Sequence, residues 1–420
     1  MNAPAVLAVN AGSSSLKFAL HPVGGEDVAP PVLSGLVEGL EPGGQPSIRV
    51  ADAQGGTEPQ PVPMAGCADA TAAALQAVVR AVQGCPGHTL LAVAHRVVHG
   101  GPRHADSVLL DDALLTELDA LSPLAPLHQP FTLAGVRAFA RHFPQVPQVA
   151  CFDTAFHARA PEVEQRFALP DEQWQQGVRR YGFHGLSYTW VTRQLQQRST
   201  RAGGRLLLAH LGNGASLCAV RDGRGVGSTM GFSAVDGLMM GTRCGSIDAG
   251  VLLHLLRQGM DVDALEKLLY KRSGLLGVSG LSADMRTLRA SAAPGAKRAI
   301  EMFTHRILRE AGALVATLGG VDLIAFAGGI GEHDAQLRHD VAAGLGFLGV
   351  RLDEAANRRA VGDEMLPIHA PDSAVELWVV PTDEGRVAAA DALRLVAPRA
   401  LEALRPAAAP TPRTAPAAHA

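Results

Sequence analysis

Apolar residues fall in short runs along this chain, and two of the runs share one grammar. The stretch Leu206–Leu211, apolar but for His210, reads as a buried strand. It breaks at Gly212-Asn213-Gly214-Ala215-Ser216 and resumes as Leu217–Val220. A strand, a turn of small residues and a returning strand let backbone N–H groups approach an anion that larger side chains would push away. Val6–Leu20 repeats the pattern about half a chain earlier: an apolar strand through Asn10, then Ala11-Gly12-Ser13-Ser14-Ser15, then a second strand carrying Lys17. Both copies hold Gly-(Ser/Ala)-Ser followed by Leu, which predicts a duplicated domain presenting two phosphate loops to one cleft. Arg243 stands alone as a charge in a Met- and Gly-rich run, and a lone guanidinium fork beside a glycine turn suits phosphate. Taken alone, a plain hairpin followed by a surface arginine reads equally well.

Elsewhere, strand-length apolar runs alternate with helical periodicity. Val32–Val37 predicts a third strand, Glu41–Pro63 a surface loop rich in Gly, Pro and Gln, and Ala68–Val82 a helix. Leu90–His95 and Val149–Phe152 predict buried strands that stop at Arg96 and Asp153, where chemistry sits in open α/β sheets. Asp111–Leu121, Phe131–Phe143 and Leu186–Gln197 read as helices. Within Met302–Leu318, Phe303, Ile307, Ala311, Leu314 and Leu318 recur at helical spacing and predict a core-facing helix. Val321–Phe326 is a strand emptying into Ala327-Gly328-Gly329-Ile330-Gly331-Glu332, Val375–Val380 another strand, and Thr382–Leu395 a helix. Gly344-Leu345-Gly346-Phe347-Leu348-Gly349 matches a dinucleotide fingerprint, but a helix-like stretch precedes it and the reading fails. The expected units are 1–153, joined by the last helix at 384–396, and 154–383. The Ala- and Pro-rich stretch 398–420 is expected to be disordered.

Composition narrows the classes. With 420 residues the chain is too long for one ordinary core. At 47% hydrophobic, 18% charged and a net charge of −3, nothing points to nucleic acid. No 18-residue apolar run and no basic leader occur, so neither a membrane span nor a secretory signal is expected. The five cysteines lack metal or C-x-x-C spacing, which fits reduced thiols in the cytoplasm. Only four lysines occur, so Lys17 inside a glycine-serine hairpin stands out.

Nine segments occur in order: VNAGSSSLKF, AHRVVHGG, CFDTAFH, RRYGFHGLS, HLGNGASLCAV, GLMMGTRCG, GLLGVSGLSADMR, AFAGGIGE and PTDE. Together they resemble the acetokinase family, the acetate kinases of the sugar kinase/Hsp70/actin superfamily, from Val6 to about Val396. The resemblance implies two actin-like (ribonuclease H-like) α/β domains with the active site in the cleft between them. It implies reversible in-line transfer from ATP to acetate, giving acetyl phosphate and ADP, with Mg2+ (Mn2+ as an alternative), and a homodimer. By the same resemblance Asp153, His184 and Arg243 are catalytic, and Arg96, Val98, Leu127 and Phe183 bind the acyl substrate. The nucleotide falls to Lys17, to His210, Leu211, Gly212, Asn213 and Gly214, to Asp284, Met285 and Arg286, and to Gly329, Ile330, Gly331, Glu332 and His333. Asn10 and Glu384 match the metal site, and His128 a further active-site histidine.

The chain also departs from the family pattern. Ala234 stands where proline is usual in the acyl pocket, Pro102 replaces a glutamate, Ser246 and Ala249 replace aspartate and proline, and His333 replaces asparagine. A smaller residue at 234 makes a propionate or butyrate kinase of the same fold the alternative; one methylene carries only ~1–3 kcal/mol of discrimination. A non-catalytic nucleotide-binding module would require loss of Asp153, Arg96 or Arg243, and all three are present.

Overall fold

The computed structural model describes residues 2–403 except 13, 42, 53 and 127, with side chains placed up to 397. Two sheets carry the fold. The first contains β1 (Ala3–Ala11), β2 (Ser15–Gly24), β3 (Leu33–Glu38), β4 (Ser47–Asp52), β5 (His88–Val97) and β6 (Gln148–Phe152), in the order β4-β3-β2-β1-β5-β6. Neighbours from β4 to β1 run antiparallel, whereas β5 is parallel to β1 and β6 to β5. The second contains β7 (Arg205–Leu211), β8 (Ala215–Arg221), β9 (Arg224–Ser228), β10 (Leu323–Ala327) and β11 (Glu376–Val379), ordered β9-β8-β7-β10-β11. Its pairings, two antiparallel and then two parallel, repeat those of β3-β2-β1-β5-β6 in the first sheet. The sequence repeat is therefore a repeat of topology.

Period-2 burial explains how each sheet is covered on both faces. In β1, Ala5, Leu7 and Val9 face a core shared with α1 (Ala70–Gln83) and with Phe139 of α2 (Gln129–His142). The alternate residues Val6 and Ala8 face Val387, Ala388, Ala392 and Leu393 of the last helix. In β7, Leu206 and Leu208 pack on Tyr188, Val191 and Leu195 of α3 (Gly185–Gln196). Leu207 and Ala209 face Phe303, Ile307, Ala311 and Leu314 of α4 (Pro294–Leu318). The last helix, α5 (Glu384–Ala403), thus lies on the first sheet although it follows the second in the chain. It meets α3 where Trp190 Nε1 donates to the Pro381 carbonyl at 2.8 Å. The carboxyl ends of β1, β5 and β6 face those of β7 and β10 across one cleft.

Three expectations need correction. The predicted loop Glu41–Pro63 contains β4, whose Ile48 and Val50 pack against the first core while Ser47, Arg49 and Ala51 turn away. The flanking Gly and Pro masked that alternation. The helix expected to start at Met302 begins at Pro294, two turns earlier, where Ala296 and Ala299 already face the core. The last helix runs to Ala403, past the expected boundary at 398, and the rest of that tail lies outside the described residues.

Candidate active-site cleft

The cleft has a volume of about 870 Å³ and is lined from both sheets. Its chemistry begins at strand ends. Asn10, one residue before β1 stops, pairs in register with Lys17 of β2. Arg96 is the penultimate residue of β5, and Asp153 follows β6, its N–H donating to the Val97 carbonyl at 3.0 Å. In the second sheet His210 occupies the place of Asn10 and pairs with Ser216, where the first sheet has Lys17. Lys17, Asn10, Arg96, Asp153, His210 and Glu384 all line the cleft.

Arg96 sits at the centre of an oxygen cage. Its Nε and Nη2 donate to the two carboxylate oxygens of Asp153 at 3.0 and 2.5 Å, and Nη1 donates to Asn10 Oδ1 at 3.2 Å. Glu384, opening α5, lies 3.5 Å from Nε. Burial alone would lower the Arg96 pKa, but Asp153 and Glu384 more than offset it and hold it above its ordinary value. Burial in turn raises the Asp153 carboxyl, against the pull of Arg96. The cage brings together the two residues expected to hold a metal and one expected to be catalytic.

Arg243 is the opposite case. Among the described residues its guanidinium makes one hydrogen bond, Nη1 to the Ala234 carbonyl at 2.7 Å, and pairs with no carboxylate. Burial, with Arg96 nearby, lowers its pKa. A half-buried cation with free donors is costly unless an anion completes it. Its free donors line the cleft.

Between the arginines lie two stacked imidazoles, His184 and His210, with ring centroids 4.2 Å apart. His184 caps α3 in the left-handed region, φ 58°, a strain that non-glycine residues carry where the surroundings impose it. What imposes it is Gly185, whose N–H donates to the Asp153 carbonyl at 2.9 Å and where a Cβ would run into that carbonyl. The strand end at 153 and the helix start at 185 are thereby locked together. His184 Nδ1 contacts Ser216 Oγ, and His210 Nδ1 contacts Ser187 Oγ, both at 2.8 Å. Burial, His210 and the two arginines hold the His184 pKa well below its ordinary value; burial and Arg96 take His210 to about 4. His128, at the start of α2, also reaches about 4 through burial and the arginines. The rings are neutral at pH 7.

Val98, Phe183 and Ala234 form a small apolar wall beside the arginines. Leu127 lies outside the described residues. In the turn expected to meet the nucleotide, Gly212 N–H donates to the Gly214 carbonyl at 2.9 Å, and the Gly241 N–H to the Asn213 carbonyl at 3.0 Å. Gly328, at φ +74°, packs directly on Leu211, where a Cβ would lie 2.8 Å from the carbonyl oxygen. Asn213, Gly214, Gly328 and Gly329 reach the cleft. Leu211 is buried beneath them.

Other expected residues stand back from the cleft. Asp284 caps the short helix Met285–Arg289 and pairs with the exposed Arg286 at 2.6 Å, while Met285 is buried in the core. Glu332 Oε1 accepts from the N–H groups of Gly328 and Thr382, bracing the turn from behind, and exposed His333 meets the Val361 carbonyl. Ile330 and Gly331 complete that helical turn, Ile330 against the core and Gly331 buried. Ser246, one of the departures, hydrogen-bonds Asp236 and the Gly237 N–H, and so holds the loop before Arg243. Sequence reading missed Ser187, Tyr188 and Ser216. Ser216 had one signal, its place opposite His210 in the hairpin.

Among the described residues no cluster of three His, Cys, Asp or Glu could hold a metal. Asn10, Asp153 and Glu384 nonetheless offer hard oxygen donors with two carboxylates, which is what Mg2+ takes when phosphates and water supply the rest. The residues fit it.

The sequence model of the acetokinase family matches residues 5–390. The acetate kinase of Rhodopseudomonas palustris (strain ATCC BAA-98 / CGA009) is 47% identical over 395 residues, covering 93% of this chain and 98% of that protein. The acetate kinase of Methylocella silvestris is 44% identical over 401 residues, again covering 93% and 98%. Among solved structures, the Porphyromonas gingivalis acetate kinase superposes with a TM-score of 0.83 at 35% identity, over 94% of this chain and 100% of that one. A propionate kinase from Francisella tularensis gives 0.83 at 32%, over 92% and 98%.

Proposed function

The chain belongs to the acetokinase family, the ATP:acetate phosphotransferases, and from that footing we propose how its own residues carry the reaction. The acetate carboxylate lies between Arg96 and Arg243, with its methyl group against Val98, Phe183 and Ala234. The nucleotide enters over the turns at 212–214 and 328–331, and its terminal phosphoryl group meets Lys17, Arg243 and His184. A carboxylate oxygen attacks phosphorus in line while ADP leaves from the opposite side, a step that asks the protein mainly for positioning and positive charge. Acetate is already ionised near neutral pH, so no base is needed, and Asp153 serves by holding Arg96. Asn10, Asp153 and Glu384 hold Mg2+, which when bound neutralises phosphate charge.

The working units are 1–153 with the last helix and 154–383, closing on the bound pair to bring the reacting atoms together. A second copy of the chain completes a homodimer, supported by the exposed Leu253 and Val251 on a helix, Ala249–Arg257, that has no buried residue. All five cysteines are free thiols, which supports a cytoplasmic setting, and no described helix is long and apolar enough to cross a membrane.

The observation that carries this reading is Arg243, a half-buried guanidinium without a carboxylate, facing the Arg96 cage across the cleft. The test is ATP- and Mg2+-dependent acyl phosphate formation, trapped with hydroxylamine, for acetate, propionate and butyrate in parallel. Greatest activity on acetate, lost in Arg243→Ala, supports it. Preference for the longer acids would assign the pocket's size to Ala234, and no product from any acid would overturn it.

A further inference from the structure

Behind His184 lies a buried chain of hydroxyls that the reaction as described does not use. Tyr188, one turn along α3, has its Oη 2.6 Å from Ser216 Oγ, and Ser216 Oγ is 2.8 Å from His184 Nδ1. Tyr188 is 1% exposed and Ser216 fully buried, and among the described residues neither hydroxyl has a further acceptor; the His210 backbone N–H that comes against the Tyr188 phenol is a donor.

Counting protons fixes the direction of this chain. Two contacts join three groups, and the phenol and the serine hydroxyl each have one proton to place. If His184 Nδ1 carried a proton and donated to Ser216, either the serine or the tyrosine hydrogen would be left buried without an acceptor. One arrangement leaves none stranded: Tyr188 donates to Ser216, Ser216 donates to Nδ1, and the ring proton sits on Nε2. Burial keeps the Tyr188 phenol protonated, raised well above its ordinary value, and keeps the imidazole neutral. Nε2 makes no hydrogen bond within the described protein. It faces the cleft, where a Cβ on Gly214 would lie 3.1 Å from it and 3.4 Å from Arg243 Nη2. The absent side chain leaves room there for an anion.

We propose that Ser216, with Tyr188 packed behind it, is a positioning residue that fixes His184 as the Nε2–H tautomer, so that it meets phosphoryl oxygens as a hydrogen-bond donor beside Arg243. A bare Nε2 lone pair at that place would repel the same oxygens. The tautomer follows from the relay alone; its value to the reaction rests on the reading of His184 as a phosphoryl contact.

The first readout needs no substrate. In the full chain carrying ring-15N histidine, the His184 signals are assigned by their loss in His184→Gln. A protonated Nε2 with an unprotonated Nδ1 is expected. Ser216→Ala should shift both nitrogens toward averaged values as the tautomers mix, whereas Ser216→Thr, which keeps the hydroxyl, and Tyr188→Phe, which leaves Ser216 with Nδ1 as its acceptor, should not. The second readout is kinetic. Ser216→Ala should lower kcat about 10- to 100-fold, by analogy with the loss of a partner that orients a metal-bound histidine, with KM for acetate and ATP little changed. Ser216→Thr should recover most of the loss. In a His184→Gln background, which has no ring to tautomerise, adding Ser216→Ala should cost almost nothing further. A proton on Nδ1 in the unsubstituted protein, unchanged ring signals in Ser216→Ala, or an equal cost of Ser216→Ala in both backgrounds would each overturn the proposal. If His184→Gln alone leaves kcat intact, it is the phosphoryl role of His184 that fails, while the ring signals still decide the tautomer.

Discussion

The two arginines of the cleft are the same residue type in opposite electrostatic positions, and their removal should differ accordingly. Arg96 neutralises Asp153, which is 1% exposed, through two hydrogen bonds. Arg96→Ala leaves that carboxylate buried and unpaired, a loss of about 3–5 kcal/mol. Arg243 has only the Ala234 carbonyl for company, so Arg243→Ala removes a charge that the fold was holding without a partner. Its melting temperature is expected to stay level or rise while acyl phosphate formation falls ~10³-fold or more. Arg243→Lys should not restore the rate, since a point charge lacks the guanidinium fork. Thermal denaturation of both alanine variants checks the contrast; equal destabilisation would refute it. Gly214→Ala gives a finer probe: its Cβ enters the space 3.1 Å from His184 Nε2, so kcat/KM should fall with little change in melting temperature.

At the scale of elements, what could be read from the chain depended on how far its cause extended along it. The hairpins β1-β2 and β7-β8 were legible because apolar runs and a glycine turn are local, and Arg96 and Asp153 because reactive residues sit at strand ends. The strand β4 was hidden by the Gly and Pro around it, and the relay behind His184 was illegible because a proton count needs partners 28 residues apart. Arg338 shows the limit most plainly. On the helix Ala335–Gly344 it shares the apolar face of Leu337, Val341 and Ala342 and is fully buried, and nothing in the local sequence names the partners that make this possible. Its Nη1 donates to the Gly331 and Glu332 carbonyls, Nη2 to those of Asn357 and Ala360, and Nε to Asn357 Oδ1, all between 2.8 and 2.9 Å. Five donors thus tie the turn after β10 to the helix Glu354–Arg359, and burial lowers the guanidinium to about 10. Arg338→Met cannot donate to these carbonyls. It is expected to raise KM for ATP several-fold while leaving KM for acetate near its starting value, since that turn is where the nucleotide is proposed to enter. A matching rise in both constants would count against this division.

Across the whole molecule, buried histidines set the response to acid. His95 on β5 donates to Gln148 Oε1 at 2.8 Å, His157 donates to the Phe183 carbonyl at 2.8 Å, and His99 is packed edge-on against Tyr181. Burial lowers each of them from 6.5 to about 4. In the unfolded chain the same rings take up a proton near 6.5, so between pH 6.5 and 4 the unfolded state binds more protons than the native one. Stability therefore rises with pH across that window and is lost as pH falls through it, by up to about 1.4 kcal/mol per pH unit for each ring. All three lie in or against the first sheet and its junction with the segment leading to α3, so their protonation strains the frame that carries Arg96 and Asp153. The melting temperature is expected to be flat above pH 7 and to drop steeply from pH 6.5 toward 4.5. His95→Gln and His157→Gln, which stay neutral in both states, should flatten that slope even where they lower stability at pH 7.5. A melting temperature that holds level from pH 7.5 to 5, or variants as acid-sensitive as the unsubstituted chain, would show that these rings are not what acid acts upon.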